Sequence, residues 1–199
     1  NVRGISPFDA GLMMLPGAII MGIMSPITGK LFDKFGPRIL AFVGLSITAF
    51  STFLLSNLDL NSTYTYIILI YTIRMFGMSM VMMPIMTNGL NQLPAKLYPH
   101  GTAVNNTAQQ AIGAIGTAIF VTIMNTVATS KGEELAKAID PSSFADPNVM
   151  ASLQQQATLE GIQFSFLVAT IISVVALVLT LFLKRVDVSR AKVEKKEQQ

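Results

Sequence analysis

The side chains that could take part in chemistry are concentrated in a few short stretches, and the first is Gly29–Arg38, which reads GKLFDKFGPR. Its single carboxylate, Asp33, lies among the cations Lys30, Lys34 and Arg38. Opposite charges within a few ångströms favour the charged form, so we expect Asp33 to be ionised and paired. The chemistry predicted for this stretch is therefore ion pairing rather than catalysis.

The spacing of this stretch is more specific than its charge. Gly29 and Gly36 can adopt tight turns and positive φ angles, and with Asp33 and Arg38 they form the pattern G-x-x-x-D-x-x-G-x-R. An ordinary polar loop needs some positive charge but no fixed spacing. The pattern therefore indicates a functional loop rather than an ordinary one, and its candidate residues are Gly29, Asp33, Lys34, Gly36 and Arg38.

Arg74 is the only charged residue inside the long apolar segments. An arginine at the centre of a membrane helix costs about 2.5–3.5 kcal/mol, so its side chain should face the bundle interior or water and have a partner. It could bond backbone carbonyls in packing, or it could shape a central cavity or a proton path. Met78 follows one turn later on the same face and is a candidate cavity residue, because methionine packs adaptably around varied ligands as well as in ordinary cores.

Amide side chains form a further cluster at the start of the fourth apolar segment. Its members are Asn105, Asn106, Gln109 and Gln110. Residues four apart share a helical face, so these amides could bond neighbouring helices or line a cavity that opens inward. Gly113 and Gly116 follow on the same segment, and such small residues predict close helix packing.

Several function classes lack the residues that they need. The sequence has no Cys and one His, so neither thiol chemistry nor a zinc site is expected. An enzyme in the membrane would need a catalytic constellation, and we expect no catalytic residue, cofactor or metal here. The net charge of +3 is modest, which gives little support to a nucleic-acid partner.

Five apolar segments must position these residues. The chain is 51% hydrophobic and 13% charged, whereas soluble domains average about 25% charged residues. Each segment has about 18 residues or more, enough to cross a hydrocarbon core about 30 Å thick. The predicted spans are residues 10–28, 39–56, 64–90, 102–127 and 161–183. The predicted fold is an all-α polytopic membrane protein with five transmembrane helices.

Positive charges assign the connections to the two sides of a cell (plasma) membrane, because Lys and Arg favour the cytoplasmic side. The cytoplasmic parts are then residues 29–38, 91–101 and 184–199, and the external parts are residues 1–9, 57–63 and 128–160. The N-terminus lies outside and the C-terminus inside. The long external segment is rich in acids, and we expect it to be a loop that could hold two short amphipathic helices, at 133–139 and 148–159.

The charged motif resembles a signature of the major facilitator superfamily, in the loop between the second and third helices of each six-helix half. The signature reads roughly G-x-L-x-D-R-x-G-R-R. The residues that match it are Gly29, Leu31, Asp33, Gly36 and Arg38. Lys34 replaces an arginine conservatively, and Pro37 departs from a basic position. The resemblance implies that this stretch is a gating loop, and it is called the gating motif below.

Three further stretches are similar to the fourteen-helix branch of drug:proton antiporters, of the lincomycin and quaternary-ammonium exporter type. They are SPFDAGLMMLPGA at residues 6–18, RMFGMSMVMMP at 74–84 and NNTAQQAIGAIGTA at 105–118. The resemblance covers almost the whole chain. It maps the chain onto the last five helices of such a transporter, a partial C-terminal half without the first half and one further helix.

The resemblance implies proton-coupled multidrug efflux by alternating access. Its implied partners are a small amphipathic drug, the proton, the lipid bilayer and the missing N-terminal half. Arg74 would be the counterpart, by repeat symmetry, of an arginine tied to proton coupling in the first half. None of the predicted spans contains Asp or Glu, so the coupling acids are expected in the missing half. The alternatives are a major facilitator carrier for a metabolite and an inactive truncated fragment.

Overall fold

The computed structural model describes residues 4–137, 139 and 146–182. Within these ranges the elements are α1 Pro7–Phe35, α2 Pro37–Leu55, α3 Tyr64–Leu90, a 3₁₀ turn Ala95–Leu97, α4 Tyr98–Lys137 and α5 Pro147–Thr180. The five α-helices are each long and apolar enough to cross a membrane. The all-α membrane fold with five spans is therefore confirmed. The predicted cytoplasmic tail, 184–199, lies outside the described residues.

The ends of α1 follow from its sequence. At its start the Ser6 hydroxyl accepts a hydrogen bond from the Asp9 amide at 3.1 Å and donates one to the Asp9 carboxylate at 2.7 Å. This pairing satisfies an otherwise free helix-end amide. At its end Gly36 has φ 79° and ψ 171°, a combination that is essentially restricted to glycine. Pro37 then starts α2, since its ring presets a helical φ.

The predicted loop at residues 29–38 is therefore helical in the structure, apart from Gly36. The stretch looked like a loop because it is charged. Charged side chains are compatible with helix ends, however, and Lys34 in the last turn of α1 interacts favourably with the helix dipole. One glycine outside the helical region is enough to separate two helices.

Helices α2 and α3 pack closely through two facing glycines. A Cβ atom added at Gly44 would lie 2.6 Å from the Gly77 carbonyl oxygen, and one added at Gly77 would lie 2.8 Å from that of Gly44. Only glycine permits this backbone approach. Buried hydroxyls of α2 are satisfied within the helix, as Thr48 donates to the Gly44 carbonyl at 2.8 Å and Thr52 to that of Thr48 at 2.7 Å.

Helices α4 and α5 form a second pair, and α5 also packs against α2. Gly161 of α5 faces the α4 backbone so closely that an added Cβ would strike the Met124 carbonyl oxygen. Beyond this contact, Lys131 of α4 pairs with Glu134 at 2.7 Å and reaches Glu160 of α5 at 3.9 Å.

Much of the predicted external loop at 128–160 is helical, because α4 continues to Lys137 and α5 begins at Pro147. The short helices expected there are the ends of these two long helices, and residues 138 and 140–145 lie outside the described residues. A helix that has nucleated extends cheaply into polar sequence. The positions of the membrane surfaces along α4 and α5 remain a prediction.

Candidate functional site

The charged side chains of the gating motif lie at the surface. Asp33, Lys34 and Arg38 are exposed, and no Lys, Arg or His nitrogen of the described residues lies within 4 Å of the Asp33 carboxylate. The expected pairing of Asp33 is therefore wrong for the described part of the chain. The Lys34 ammonium instead lies 5.3 Å from the centre of the Phe35 ring. The motif leaves its carboxylate available to a group outside these residues.

The apolar side chains of the motif hold it on α3. Phe32 is buried in a cluster with Leu40 of α2 and Met80 of α3. Gly29 faces Met83, whose methyl carbon would lie 3.2 Å from an added Cβ. The motif thus has two sides, an apolar one packed in the bundle and a charged one at the surface. Gly29 allows the packing on α3, whereas Gly36 forms the turn between α1 and α2.

Arg74 lies at the wall of a cavity of about 300 Å³ between α3, α4 and α5. The cavity is otherwise lined by Phe120, Val121, Met124, Ile162, Ser165, Phe166 and Ala169. Arg74, Phe120 and Phe166 each lie near the middle of their helices. Arg74 thus lies at a cavity wall, and its Nε bonds no backbone carbonyl of the described residues.

The Arg74 Nε–H is buried and has no hydrogen-bond acceptor among the described residues. Ser165 lines the same cavity without accepting from this Nε–H, and the Ser165 hydroxyl donates to the Gly161 carbonyl at 2.9 Å and approaches that of Phe120 at 3.4 Å. A buried donor without an acceptor is unfavourable by about 1–3 kcal/mol. Arg74 therefore lines this cavity and carries, beside it, a buried donor without a partner in the described chain.

The α4 and α5 residues of this cavity were missed in the sequence. A signal was present in α5, where small residues recur at every fourth position: Ala157, Gly161, Ser165 and Ala169. Such a stripe favours close helix packing, and it places α5 against α4 with the cavity at its edge. Phe120 and Phe166 had no comparable signal, since aromatic residues are common in membrane helices.

A second cavity, of about 630 Å³, lies between the end of α3 and the start of α4. Asn105 lines it, and its buried Nδ2 has no hydrogen-bond partner in the described chain. His100 and Met86 also line this cavity, whereas the remaining wall is apolar. The structure thus places one of the four predicted amides at a cavity. Asn106, Gln109 and Gln110 are exposed and line neither cavity.

The other predicted residues are placed differently. Met78 is half-buried and lines neither of these two cavities. No described atom outside their own helix lies within 4 Å of an added Cβ at Gly113 or Gly116, so their packing role remains a prediction for a surface outside these residues. Close packing instead involves Gly17, Gly44, Gly77 and Gly161.

Comparison with known proteins gives named relatives. The chain is 41% identical, over its whole length, to the uncharacterized MFS-type transporter YhcA of Bacillus subtilis (strain 168), of which it covers 42%. It is 44% identical over 92% of its length to the lincomycin resistance protein LmrB of the same organism, of which it covers 36%. A tetracenomycin C resistance and export protein of Streptomyces glaucescens is 29% identical over 62% of the chain and is covered to 23%.

The chain thus spans about two fifths of the length of its curated relatives. The pattern of the Major Facilitator Superfamily matches residues 1–117, which contain the gating motif, Arg74 and the amide cluster. Five membrane helices, a charged motif at the α1–α2 junction and these relatives agree with one another. This chain belongs to the major facilitator superfamily.

Proposed function

We propose that this chain is part of a secondary transporter that exports amphipathic drugs across the cell membrane in exchange for protons. The observation that carries the proposal is the 44% identity to a lincomycin resistance protein over 92% of the chain. The Arg74 cavity supports it, because transporters of this architecture bind substrate near the middle of their helices. The remainder of the transporter, including its first half, would be the partner of this chain.

The proposed mechanism is alternating access, in which two halves rock about a central site. Helix α4 supports such a contact, because none of its residues is buried although its middle is apolar. The amides and glycines predicted on it, such as Gln109 and Gly113, are exposed in the described chain. We propose that this face meets the other half of the transporter, and that the Asp33 carboxylate bonds to that half in one state.

The coupling proton is proposed to bind outside this chain. Proton coupling needs a group that gains and loses a proton, which in membrane segments is usually a carboxylate. None of the five predicted spans contains Asp or Glu. Arg74 could influence such an acid by its charge but would itself stay protonated.

The test of this function is a resistance assay with the full-length transporter in a host without its own exporters. Expression should raise the lincomycin concentration that the cells tolerate. Asp33→Asn should lower resistance at equal expression, because the gate loses its charged contact. The matched control is Asp59→Asn, which removes an exposed carboxylate from the α2–α3 connection, where its oxygen only accepts from the Leu60 amide. If the wild-type protein raises resistance to no drug, the result would favour the alternative that the transporter carries a metabolite.

The proposed orientation has a separate test. The sequence has no Cys, so an introduced cysteine is the only thiol of this chain. Lys34→Cys should be labelled by a membrane-impermeant maleimide only after cells are opened, whereas Asn61→Cys should be labelled in intact cells. The reverse result would invert the proposed topology without affecting the fold.

A further inference from the structure

The Arg74 cavity carries an inference about cargo, and it rests on the proposed function. Its wall combines one guanidinium with two aromatic rings, Phe120 and Phe166, and with aliphatic side chains. Among the described residues, no Asp or Glu lines it. A ligand here would therefore meet an apolar surface and a single positive charge.

The chemistry of the guanidinium limits what can bind. Arginine has five N–H donors and no acceptor, and its planar fork matches a carboxylate through two parallel hydrogen bonds. The Nε–H of Arg74 belongs to that fork, and it is buried without an acceptor in the described chain. The Ser165 hydroxyl already donates its proton to the Gly161 carbonyl, so it can only accept a hydrogen bond from a ligand.

We infer that this cavity binds an amphipathic compound through an anionic or strongly accepting group that bonds to Arg74, with an aromatic or aliphatic body between Phe120 and Phe166. The cargo class of the transporter then includes carboxylate-bearing and uncharged acceptor-bearing drugs in preference to permanent cations. A cation could contact the Phe120 and Phe166 rings, but its charge repels Arg74, and no carboxylate of the described lining offsets that repulsion.

The size of the cavity sets the part of the ligand that it holds. At about 300 Å³ it lies at the lower end of the range of about 300–1,000 Å³ for drug-sized pockets. It would therefore enclose one ring system with its polar group rather than a whole large drug. The rest of the ligand would extend beyond these residues.

The experiment measures efflux of three fluorescent compounds with one xanthene scaffold, bearing a carboxylate, its methyl ester or a quaternary ammonium group. The protein is the full-length transporter in everted membrane vesicles. Wild-type protein should move the carboxylate and the ester faster than the ammonium compound. Arg74→Met should lower carboxylate efflux about tenfold or more, as expected for loss of a charged hydrogen bond, and should change ester efflux by less than about threefold.

Arg74→Lys separates charge from geometry, because it keeps the charge but removes the fork. We expect carboxylate efflux between those of wild type and Arg74→Met. An unchanged preference for the carboxylate in Arg74→Met contradicts the inference. So does an equal loss of all three compounds in both variants, which would mean that Arg74 holds another protein segment rather than cargo.

A second variant tests the cavity without touching Arg74. Ala169→Leu fills space at the wall and should lower efflux of the carboxylate and the ester together. Its control is Ala151→Leu on the same helix, at an exposed position outside the cavity. Unchanged efflux in Ala169→Leu contradicts the inference. A wild-type protein that moves only the ammonium compound contradicts the inference alone, whereas one that moves none of the three, and confers no resistance, contradicts the proposed function as well.

Discussion

The α2–α3 pair and the α4–α5 pair are both built on glycine contacts, yet they differ in what surrounds them. Ten residues of α2 are buried, whereas α4 has none. Helix α3 packs against α1 as well as α2, so the α2–α3 contact is supported from another side. Helix α4 rests mainly on α5. A close backbone contact is thus enclosed on several sides in the first pair, whereas in the second it attaches a helix that is covered mainly on one side.

The largest predicted effect is at the α2–α3 pair. Gly44→Leu places a side chain against the Gly77 carbonyl and Val81, and neither helix can retreat because α1 and α5 pack behind them. We expect a loss at the upper end of the range of about 1–3 kcal/mol that overpacking costs. The measurement is the thermal stability of the detergent-solubilised full-length transporter.

The control for this variant is Gly22→Leu in α1, where nothing lies within 4 Å of an added Cβ. It adds the same side chain in open space, so it should unfold near the wild-type temperature. Equal destabilisation by the two leucines would mean that the α2–α3 contact is not the enclosed element described here.

The second effect is at the junction between α1 and α2. Gly36→Ala forces a Cβ into a backbone region with φ 79° and ψ 171°, which costs about 1–3 kcal/mol for other residues. The same thermal assay should show a clear decrease. Gly11→Ala is the control, since this glycine is within α1 and in open space, and alanine is favoured there by about 0.8–1 kcal/mol. A neutral Gly36→Ala would contradict the observed turn.

The third effect tests whether α4 can move. Gly161→Ala places a Cβ against the Met124 carbonyl and 3.2 Å from the Ala128 Cβ. Because α4 is held mainly on one side, it can shift away. We therefore expect the free energy of unfolding to fall by about 1 kcal/mol, at the lower end of overpacking costs. The control is Gly132→Ala at the same interface, where the Ala157 Cβ lies at an ordinary 3.6 Å.

The outcome for Gly161→Ala sharpens the comparison between the two pairs. A loss as large as that of Gly44→Leu would show that α4 cannot shift in the full-length transporter. A cysteine at position 120 reports on the position of α4. A small loss of stability in Gly161→Ala, together with a changed rate of maleimide labelling of Phe120→Cys when Gly161→Ala is added, would agree with a helix that moves as a unit.

The smallest effect is at the exposed rim of the α4–α5 pair. Lys131→Gln removes the pairs with Glu134 and Glu160, but these side chains are exposed and solvent screens them. We expect no measurable change in unfolding temperature at physiological salt and a slight decrease at low salt. Lys137→Gln, at another exposed lysine of α4, is the comparison. A large decrease at any salt concentration would show that the rim holds the helices together.

The sequence predicted the number and class of the helices well, because long apolar segments such as 64–90 have few alternatives in water or in lipid. It predicted less about where they end. The charges of Lys34 and Lys131 indicated loops, although both lie on helices. A polar segment that continues a helix and the same segment as a loop differ little in free energy, so the composition of the segment does not decide between them.

The candidate site was predicted in part. Arg74 was identified because an isolated charge in an apolar segment has few explanations, and the structure places it at a cavity. Phe120 and Ser165 were missed because their contribution depends on which face of α4 meets α5. That register is decided by the contact of Gly161 with the Met124 backbone, a single long-range approach that periodicity does not contain.

The length of α4 has a mechanical consequence. A helix of 40 residues is about 60 Å long at a rise of about 1.5 Å per residue, twice the thickness of a hydrocarbon core. Gly161 packs against Met124, about two thirds of the way along this helix, so it divides α4 into a long arm and a short arm. A small tilt about that contact would move the Asn105 end and the Lys131 end in opposite directions, and would couple the two ends without any change in the helix itself.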